Sequence, residues 1–184
     1  FSSNQKRINV LKELEILRKE ALTDPLTGIG NRRFAEITLK PLEVSFAEHG
    51  VPYGVLFVAI DHFKSVNDVH GHDVGDLVLR MVAQTLANSL RPLDVACRWG
   101  GEEFVLIMPI VTEGTLRGMG ERQRALIESS WLDQGGNPIF VTASFGGAVS
   151  REGESGVEVI ARADAQMYRS KASGRNCVSV DTGQ

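Results

Sequence analysis

Hydrophobic and polar positions along this chain follow two patterns, a helical period of about 3.6 residues and short continuous apolar runs. Residues 5–22 contain neither Gly nor Pro and place Ile8, Leu11, Leu14 or Glu15, and Leu22 near heptad spacing, which predicts an amphipathic helix. Such a helix is too short to be stable alone. It either packs on the domain that follows or forms the end of a coiled coil that arrives from an upstream module.

The run over residues 52–61 is almost entirely apolar and ends in a carboxylate, Asp61. Continuous rather than alternating hydrophobicity predicts a strand that is buried on both faces, at the centre of a sheet. Because side chains alternate along a strand, Ala59 and Asp61 are expected on the same face. Residues 62–70 are interpreted as a polar connection to the next helix.

The remaining predicted elements are helices and short strands. A second helix is expected to begin after Asn31, a good N-cap residue, and to end at Gly50, a common C-terminal stop. Further helices are predicted over residues 77–90, 112–131 and 157–173, and strands over residues 95–99, 104–108, 139–149 and 177–180. Helices interspersed with a partly antiparallel sheet predict an α/β fold, an α+β sandwich with a central mixed sheet flanked by helices.

Residues 98–104 read Arg-Trp-Gly-Gly-Glu-Glu-Phe and combine turn and charge signals. Two glycines between apolar segments predict a tight hairpin turn, since glycine readily takes the positive φ that such turns require. Glu102 and Glu103 stand where the next strand begins, although acidic residues are depleted in strands and costly to bury unpaired. They are either a solvated hairpin tip or ligands of a hard divalent cation such as magnesium, which takes carboxylate oxygens.

Composition narrows the classes of protein. With 184 residues and 42% hydrophobic content, the chain can bury one core, which favours one domain with a short appendage. A formal net charge of −3 gives no overall basic field and argues against nucleic acid as a partner. Cys97 and Cys177 form no zinc spacing, and reduced thiols in the cytoplasm are expected. No secretory signal or apolar run of about 20 residues occurs; because the sequence begins at Phe1, we expect a piece of a longer protein.

Several further motifs accompany the hairpin sequence. They are Asp-Pro-Leu-Thr-Gly at residues 24–28, Asn-Arg-Arg at 31–33, Ala-Ile-Asp-His-Phe-Lys at 59–64, Asn-Asp at 67–68, Gly-His-Asp-Val-Gly-Asp at 71–76 and Lys-Ala-Ser-Gly-Arg-Asn at 171–176. In order and spacing they resemble the GGDEF family of bacterial diguanylate cyclases, in the variant whose signature reads GGEEF. The resemblance covers residues 23 to about 180, so we expect a helical linker over residues 1–22 and a GGDEF catalytic domain over residues 23–184.

The resemblance implies a palm-like fold, shared with nucleotidyl cyclases and polymerases, and a reaction across a homodimer. Each GTP ribose 3′-hydroxyl attacks the α-phosphate of the facing GTP, giving cyclic di-GMP and two pyrophosphates. In such in-line phosphoryl transfer the protein mainly positions substrates and neutralises charge. The implied cofactor is magnesium or manganese. The implied partners are GTP, cyclic di-GMP as product and inhibitor, and an upstream sensory or membrane module attached to a cytoplasmic domain.

The family also implies a role for each hairpin residue. Glu102 matches a magnesium ligand, and Glu103 matches a residue that assists the metal or the 3′-hydroxyl. The backbone oxygen of Ile60 completes the implied metal site. Gly100 and Gly101 carry no side chains, so the backbone there can approach the nucleotide closely.

Other matching positions are implied to bind the nucleotide. Asn67 and Asp76 correspond to guanine readers, since an amide and a carboxylate together recognise the O6 acceptor and the N1 and N2 donors. Without the resemblance they would be polar surface beside a helix N-terminus. The expected phosphate-side residues are Phe63, Lys64 (also counted as catalytic), and the pair Lys171 and Arg175, which we place four apart on one helix face.

Arg91 and Asp94 lie just before the first hairpin arm. They match the family's inhibitory site, where the product binds, and Arg122 resembles the accessory arginine of that site. Guanidinium groups donate in a planar fork that suits guanine edges and phosphates. The alternative interpretation is an Arg-Pro turn that stops a helix.

Ala59 departs from the family, which has a magnesium-binding aspartate at this position. If that ligand contributes about 3 kcal/mol to the transition state, its absence lowers the rate roughly 10²-fold. Asp61 stands about 6 to 7 Å further along the strand and cannot simply replace it. Ala59 is then an introduced inactivating change, a natural degeneration toward a binding role, or a tolerated variant. We therefore expect a diguanylate cyclase of reduced activity, or alternatively a non-catalytic module that binds GTP or cyclic di-GMP.

Overall fold

A computed structural model describes residues 2–183. The predicted linker and the predicted catalytic domain each include one residue outside this range, Phe1 and Gln184. The helices of the described range are α1 (Ser2–Leu22), α2 (Arg32–His49), α3 (Phe63–His70), α4 (His72–Asn88), α5 (Glu113–Glu128) and α6 (Gly156–Ala172). Its strands are β1 (Tyr53–Ile60), β2 (Val95–Gly100), β3 (Glu103–Pro109), β4 (Trp131–Gln134), β5 (Asn137–Phe140), β6 (Ala143–Val149) and β7 (Val178–Val180).

Strand β1 lies at the centre of a five-stranded sheet with the order β2-β3-β1-β6-β7. It pairs antiparallel with β3 and with β6, while β6 and β7 are parallel. Every residue of β1 is buried, which confirms the central strand expected from its continuous apolar sequence. A mixed, mostly antiparallel sheet with helices on both faces confirms the predicted α/β class.

Alternate side chains of β1 enter two separate cores. Leu56 and Val58 belong to the cluster on the face covered by α4 and α5. Val55 and Phe57 belong to the cluster on the face covered by α2 and α6. Helix α6 approaches the sheet so closely that a Cβ atom at Gly146 of β6 would overlap the helix backbone. The two helical layers hold the sheet, and with it the end of β1, in a fixed position.

Three predicted elements differ from the structure. Residues 62–70 contain helix α3 rather than only a polar connection, because Val66 is buried against the core as part of an amphipathic turn. The predicted helix over residues 112–131 ends at Glu128, and the predicted strand 139–149 is two strands. Strands β4 and β5 form their own hairpin, since Gly135 and Gly136 both take the positive φ of its turn.

The turn of the hairpin formed by β2 and β3 also differs from the prediction. Gly100 belongs to β2 and pairs with Glu103, so the turn residues are Gly101 and Glu102 rather than two glycines. Of these glycines only Gly101 has a positive φ, at 40°. A register shift between Arg98 and Gly100 marks an irregularity just before the turn. The first acidic side chain is thereby carried on the turn itself.

Helix α1 lies outside the hydrophobic core, since none of residues 2–22 is buried. Its end is fastened to α2 by Asn31, whose side chain accepts from the Phe34 backbone nitrogen at 3.0 Å and donates to the Ala21 carbonyl at 2.9 Å. One residue therefore caps the start of α2 and the end of α1. Within residues 2–183, no helix is both long and apolar enough to cross a membrane.

Candidate functional site

The carboxyl end of β1 is where the predicted site residues begin to meet. The Ile60 backbone nitrogen donates to the Glu102 carbonyl at 3.2 Å. Ala59 stands directly opposite Glu103 in the antiparallel register. The acidic hairpin is therefore held against the strand end from which the following helix, α3, departs.

The Glu103 carboxyl group lies in a half-buried, acidic environment. Its pKa is raised chiefly by burial and further by the charges of Asp164 and Glu102, while Lys171 and Arg32 act in the opposite direction. Burial also raises the pKa of Asp164 on α6, and one oxygen of its side chain is buried with no hydrogen-bond partner in residues 2–183. This surplus of negative charge suits a position that faces a cation.

The residues at this point fit a magnesium ion that is held mainly by its substrate. No three His, Cys, Asp or Glu side chains of the described range converge into a protein-only metal cage. The buried methyl group of Ala59 lies between its cross-strand neighbours, Glu103 and Ser144. Magnesium commonly keeps several waters and is bound by one or two carboxylates together with phosphates. Glu102 and Glu103 can supply that smaller set.

Asp61, the carboxylate of the motif at residues 59–64, is surrounded by hydrogen-bond donors. Its side chain is buried and accepts hydrogen bonds from Thr142 Oγ1 at 2.7 Å, Ser144 Oγ at 2.6 Å and the Asn176 backbone nitrogen at 3.0 Å. A buried carboxylate with three donors is satisfied where it is. It therefore fixes the strand end to neighbouring segments and does not replace the carboxylate missing at Ala59.

The two expected guanine readers lie at the corner between α3 and α4. Asn67 is on α3 and Asp76 is in the first turns of α4, after the Gly71 backbone nitrogen has closed α3 by donating to the Asn67 carbonyl at 2.8 Å. A Cβ atom at Gly75 would overlap the Asn67 side-chain amide. Gly75, to which the sequence alone assigned no role, thus makes the space that the Asn67 side chain occupies.

The phosphate-side residues occupy separate elements. Lys64 is exposed on the first turn of α3, and Lys171 is near the end of α6, with its Nζ atom 5.3 Å from the centre of the Tyr168 ring. Arg175 lies beyond the end of α6 and has a φ of 64°. The prediction that Lys171 and Arg175 share a helix face is therefore wrong, because the chain leaves the helix at Ser173.

The opening motif is connected to the acidic hairpin by a side-chain ion pair that the sequence did not reveal. Arg98 donates from Nε to the Gly101 carbonyl at 3.0 Å and from Nη1 to Asp24 at 3.3 Å. Asp24 in turn accepts from the backbone and hydroxyl of Thr27, at 2.9 and 2.6 Å. The turn that bears Glu102 is thereby supported from the beginning of the domain.

The predicted inhibitory residues lie at the other end of β2. Arg91 makes a two-pronged contact with Asp94, with its Nε and Nη2 atoms each 3.0 Å from a carboxylate oxygen. These hydrogen bonds raise the pKa of Arg91. The six residues of β2, at about 3.3 Å each, separate this pair from the hairpin turn by about 20 Å. Arg122 is exposed on α5.

Comparison with known proteins gives a family match over most of the chain. Residues 21–177 match the family model "Diguanylate cyclase, GGDEF domain". The response regulator PleD of Caulobacter vibrioides is 42% identical over 161 residues, which are 86% of this chain and 36% of that protein. Diguanylate cyclase DgcP of Pseudomonas aeruginosa is 40% identical over 170 residues, 91% of this chain and 25% of that protein. The chain thus spans between a quarter and little more than a third of the length of these relatives.

A solved structure extends the similarity to the fold. The coiled coil and GGDEF domain of DgcB from Caulobacter crescentus, determined in complex with c-di-GMP, superposes with a TM-score of 0.91 at 33% sequence identity. The match covers 98% of this chain and 96% of that one. The palm-like architecture expected from the motifs is confirmed. The chain belongs to the GGDEF-domain family of diguanylate cyclases.

Proposed function

We propose that this domain condenses two molecules of GTP into cyclic di-GMP and two pyrophosphates, across a dimer in which each protomer carries one GTP. The proposal rests on one observation. At the end of β1, the acidic hairpin lies next to the start of α3, the helix that bears Asn67. Both lie within residues 21–177, the range that matches the diguanylate cyclase family model. Because GTP is an intracellular nucleotide, the proposal places the domain in the cytoplasm. The proposal also attaches the domain to an upstream sensory or membrane module.

Each group of residues has a distinct task in this reaction. Asn67 and Asp76 bind the guanine edge, and the backbone amides of Phe63 and Lys64 receive the terminal phosphates. Lys64, Lys171 and Arg175 supply positive charge to the triphosphate, which orients its α-phosphorus toward the facing 3′-hydroxyl. Gly100 and Gly101 leave space for the nucleotide to approach the backbone.

The acidic residues have two proposed roles in the reaction, to hold the metal ion and to take a proton from the attacking hydroxyl group. Glu102 and Glu103, with the Ile60 carbonyl, would hold magnesium or manganese. When bound, this ion neutralises phosphate charge in the transition state. Glu103 either assists the metal ion or takes a proton from the attacking 3′-hydroxyl.

Ala59 is expected to slow this reaction without abolishing nucleotide binding. The carboxylate that the family has at this position is absent, and Asp61 already accepts three hydrogen bonds from neighbouring segments. Loss of about 3 kcal/mol of transition-state stabilisation corresponds to roughly a 10²-fold lower rate. The residues assigned to guanine and phosphate are unchanged by this substitution.

Helix α1 supports the proposal of a dimer. Val10, Leu14, Leu17 and Ala21, a different set from the one named in the sequence analysis, follow the alternating four- and three-residue spacing of a coiled-coil seam. All four are exposed, as are the other residues from Ser2 to Ala21. Two such helices from two copies would cover each other's apolar stripe. We therefore assign residues 1–22 as a coiled-coil linker that brings two catalytic domains, residues 23–184, together.

Product inhibition is proposed at Arg91 and Asp94, with Arg122 as an accessory. Arg91 already pairs with Asp94 and donates to the Pro109 carbonyl at 2.7 Å, so it is ordered before the ligand arrives. A planar guanidinium held in this way can meet a guanine edge or a phosphate with little loss of side-chain entropy. The distance to the hairpin requires that inhibition act indirectly.

The alternative function is a regulatory module that binds GTP or cyclic di-GMP without turnover, and Ala59 is the observation that favours it. The test compares this chain with the Ala59→Asp variant, both at high concentration with GTP and magnesium, by following cyclic di-GMP and pyrophosphate. Product from the variant alone supports a cyclase slowed at one position, and equal product from both shows that Ala59 is tolerated. If neither forms product and both bind cyclic di-GMP, the result favours the binding module.

A further inference from the structure

Asn176, the residue after Arg175, forms hydrogen bonds with two separate parts of the fold. Its backbone nitrogen donates to Asp61 at the end of β1, at 3.0 Å. Its side-chain oxygen accepts from Arg124 Nη1 at 3.0 Å, and its side-chain nitrogen donates to Glu128 Oε2 at 3.0 Å. Arg124 and Glu128 both belong to α5. The amide thus links the end of the central strand to a helix on the far side of the loop.

The backbone around this residue needs such support. Gly174, Arg175 and Asn176 have φ values of 110°, 64° and 47°. Glycine takes these values freely, but two successive residues with side chains do so only where their surroundings hold them. The Arg175 backbone nitrogen donates to the Ser170 carbonyl at 3.0 Å, and the Cys177 carbonyl accepts from the Phe145 backbone nitrogen at 2.9 Å. These bonds fix the residues on either side of Asn176, and the contacts of Asn176 hold the backbone between them.

The contacts from α5 form a connected group of charges. Arg124 also bonds Glu121, at 3.0 Å, and pairs with Glu128. Hydrogen bonds from Asn176 and Arg124 lower the pKa of Glu128, so its carboxylate is ionised at neutral pH. An ionised carboxylate and a guanidinium on adjacent helix turns present one acceptor and one donor to the two ends of a single side-chain amide.

We propose that Arg124 and Glu128 are positioning residues that, by holding Asn176, fix the left-handed backbone of Arg175 and thereby direct its guanidinium toward the terminal phosphates of a nucleoside triphosphate. The inference rests on the proposed function, since it takes Arg175 as a phosphate ligand. Neither α5 residue touches the nucleotide. They act through the loop, in the same way that Asp61 acts from the strand.

Binding measurements on the full chain separate this role from general stabilisation. The ligands are a non-hydrolysable GTP analogue with magnesium and GMP, which has the guanine but lacks the terminal phosphates. Arg124→Ala is expected to weaken analogue binding about tenfold, the loss of a charged hydrogen bond, with GMP binding unchanged. Arg117→Ala, an exposed arginine on the same helix, is the matched control and should change neither affinity.

A double-mutant cycle with Arg175→Ala provides the second readout. If Arg124 acts through Arg175, the combined variant binds the analogue no more weakly than Arg175→Ala alone. Additive losses, equal losses for GMP, or an effect no larger than that of Arg117→Ala would overturn the proposal while leaving the proposed function intact. If the unchanged chain binds no analogue, both fail. Should Arg124→Ala not fold, Glu128→Gln, which keeps the side-chain shape, carries the same comparison.

Discussion

Arg98 Nη1 lies 3.3 Å from Asp24 Oδ1, in an ion pair whose side chains are only 19% and 13% exposed. The same guanidinium holds the Gly101 carbonyl. The pair joins the segment that follows α1 to the turn that carries the acidic signature, so the start of the domain and its most polar turn are stabilised together.

Asp24→Ala should lower the free energy of unfolding by about 2 kcal/mol, because it leaves Arg98 without its carboxylate and removes the acceptor of Thr27. Urea denaturation measures the loss. Glu152→Ala, at an exposed loop position, serves as the control and should change stability by less than about 0.5 kcal/mol. Equal effects of the two substitutions would contradict the role given to the ion pair.

Gly75→Ala should reduce selectivity for guanine. The added methyl group overlaps the Asn67 amide and must displace it, so GTP-analogue binding should weaken by about 1–3 kcal/mol, the range for an unmade polar contact. Binding of an ATP analogue, which gains nothing from Asn67, should change little. Titration of both analogues checks this. In an Asn67→Ala background the Gly75 substitution should have almost no further effect, and a full additional loss would show that Gly75 acts elsewhere.

Glu103→Gln should flatten the pH dependence of stability. A carboxyl group with a raised pKa binds more protons in the folded chain than in the unfolded one. The free energy of unfolding therefore falls as pH rises from the ordinary glutamate range, about 4.3. The glutamine cannot ionise, so the variant should lose less stability over this rise. Urea unfolding without added metal, from about pH 4 to pH 7, tests the sign; an unchanged slope would place Glu103 outside the half-buried environment described above.

The two cysteines should differ in reactivity. Burial raises the pKa of Cys97 to about 12, so its thiolate is scarce at neutral pH and its sulfur is shielded. Cys177 is only partly buried and should react first with a thiol reagent such as Ellman's reagent. Both should react at similar rates in denaturant. Rapid modification of Cys97 in the folded chain would contradict its place in the core.

The elements that the sequence predicted well are those with local signals. The all-apolar β1 and the capped α2 were correct because burial on both faces and the Asn31 and Gly50 caps leave direct marks in the sequence. Helix α3 was missed because it is short and buries mainly Val66. The β4–β5 hairpin was missed because Trp131 continued an apparently helical pattern.

The candidate site divides in the same way. Its residue types were identified from motif order, but their contacts depend on packing between distant segments. The support of Asp61 by Thr142 and Ser144, and the space that Gly75 leaves for Asn67, follow from tertiary structure alone. The misplacement of Arg175 shows the same limit, since helix spacing holds only while the helix continues.

Asn31, which caps both α1 and α2, couples α1 to the rest of the domain. Gly30, its neighbour, accepts from the Arg98 backbone nitrogen at 2.8 Å and forms a bridge to Cys97. Two consecutive residues, Gly30 and Asn31, therefore connect the end of α1 with the edge strand β2. If two chains pair as proposed, we expect the rotation of α1 in each chain to influence the orientation of its acidic hairpin.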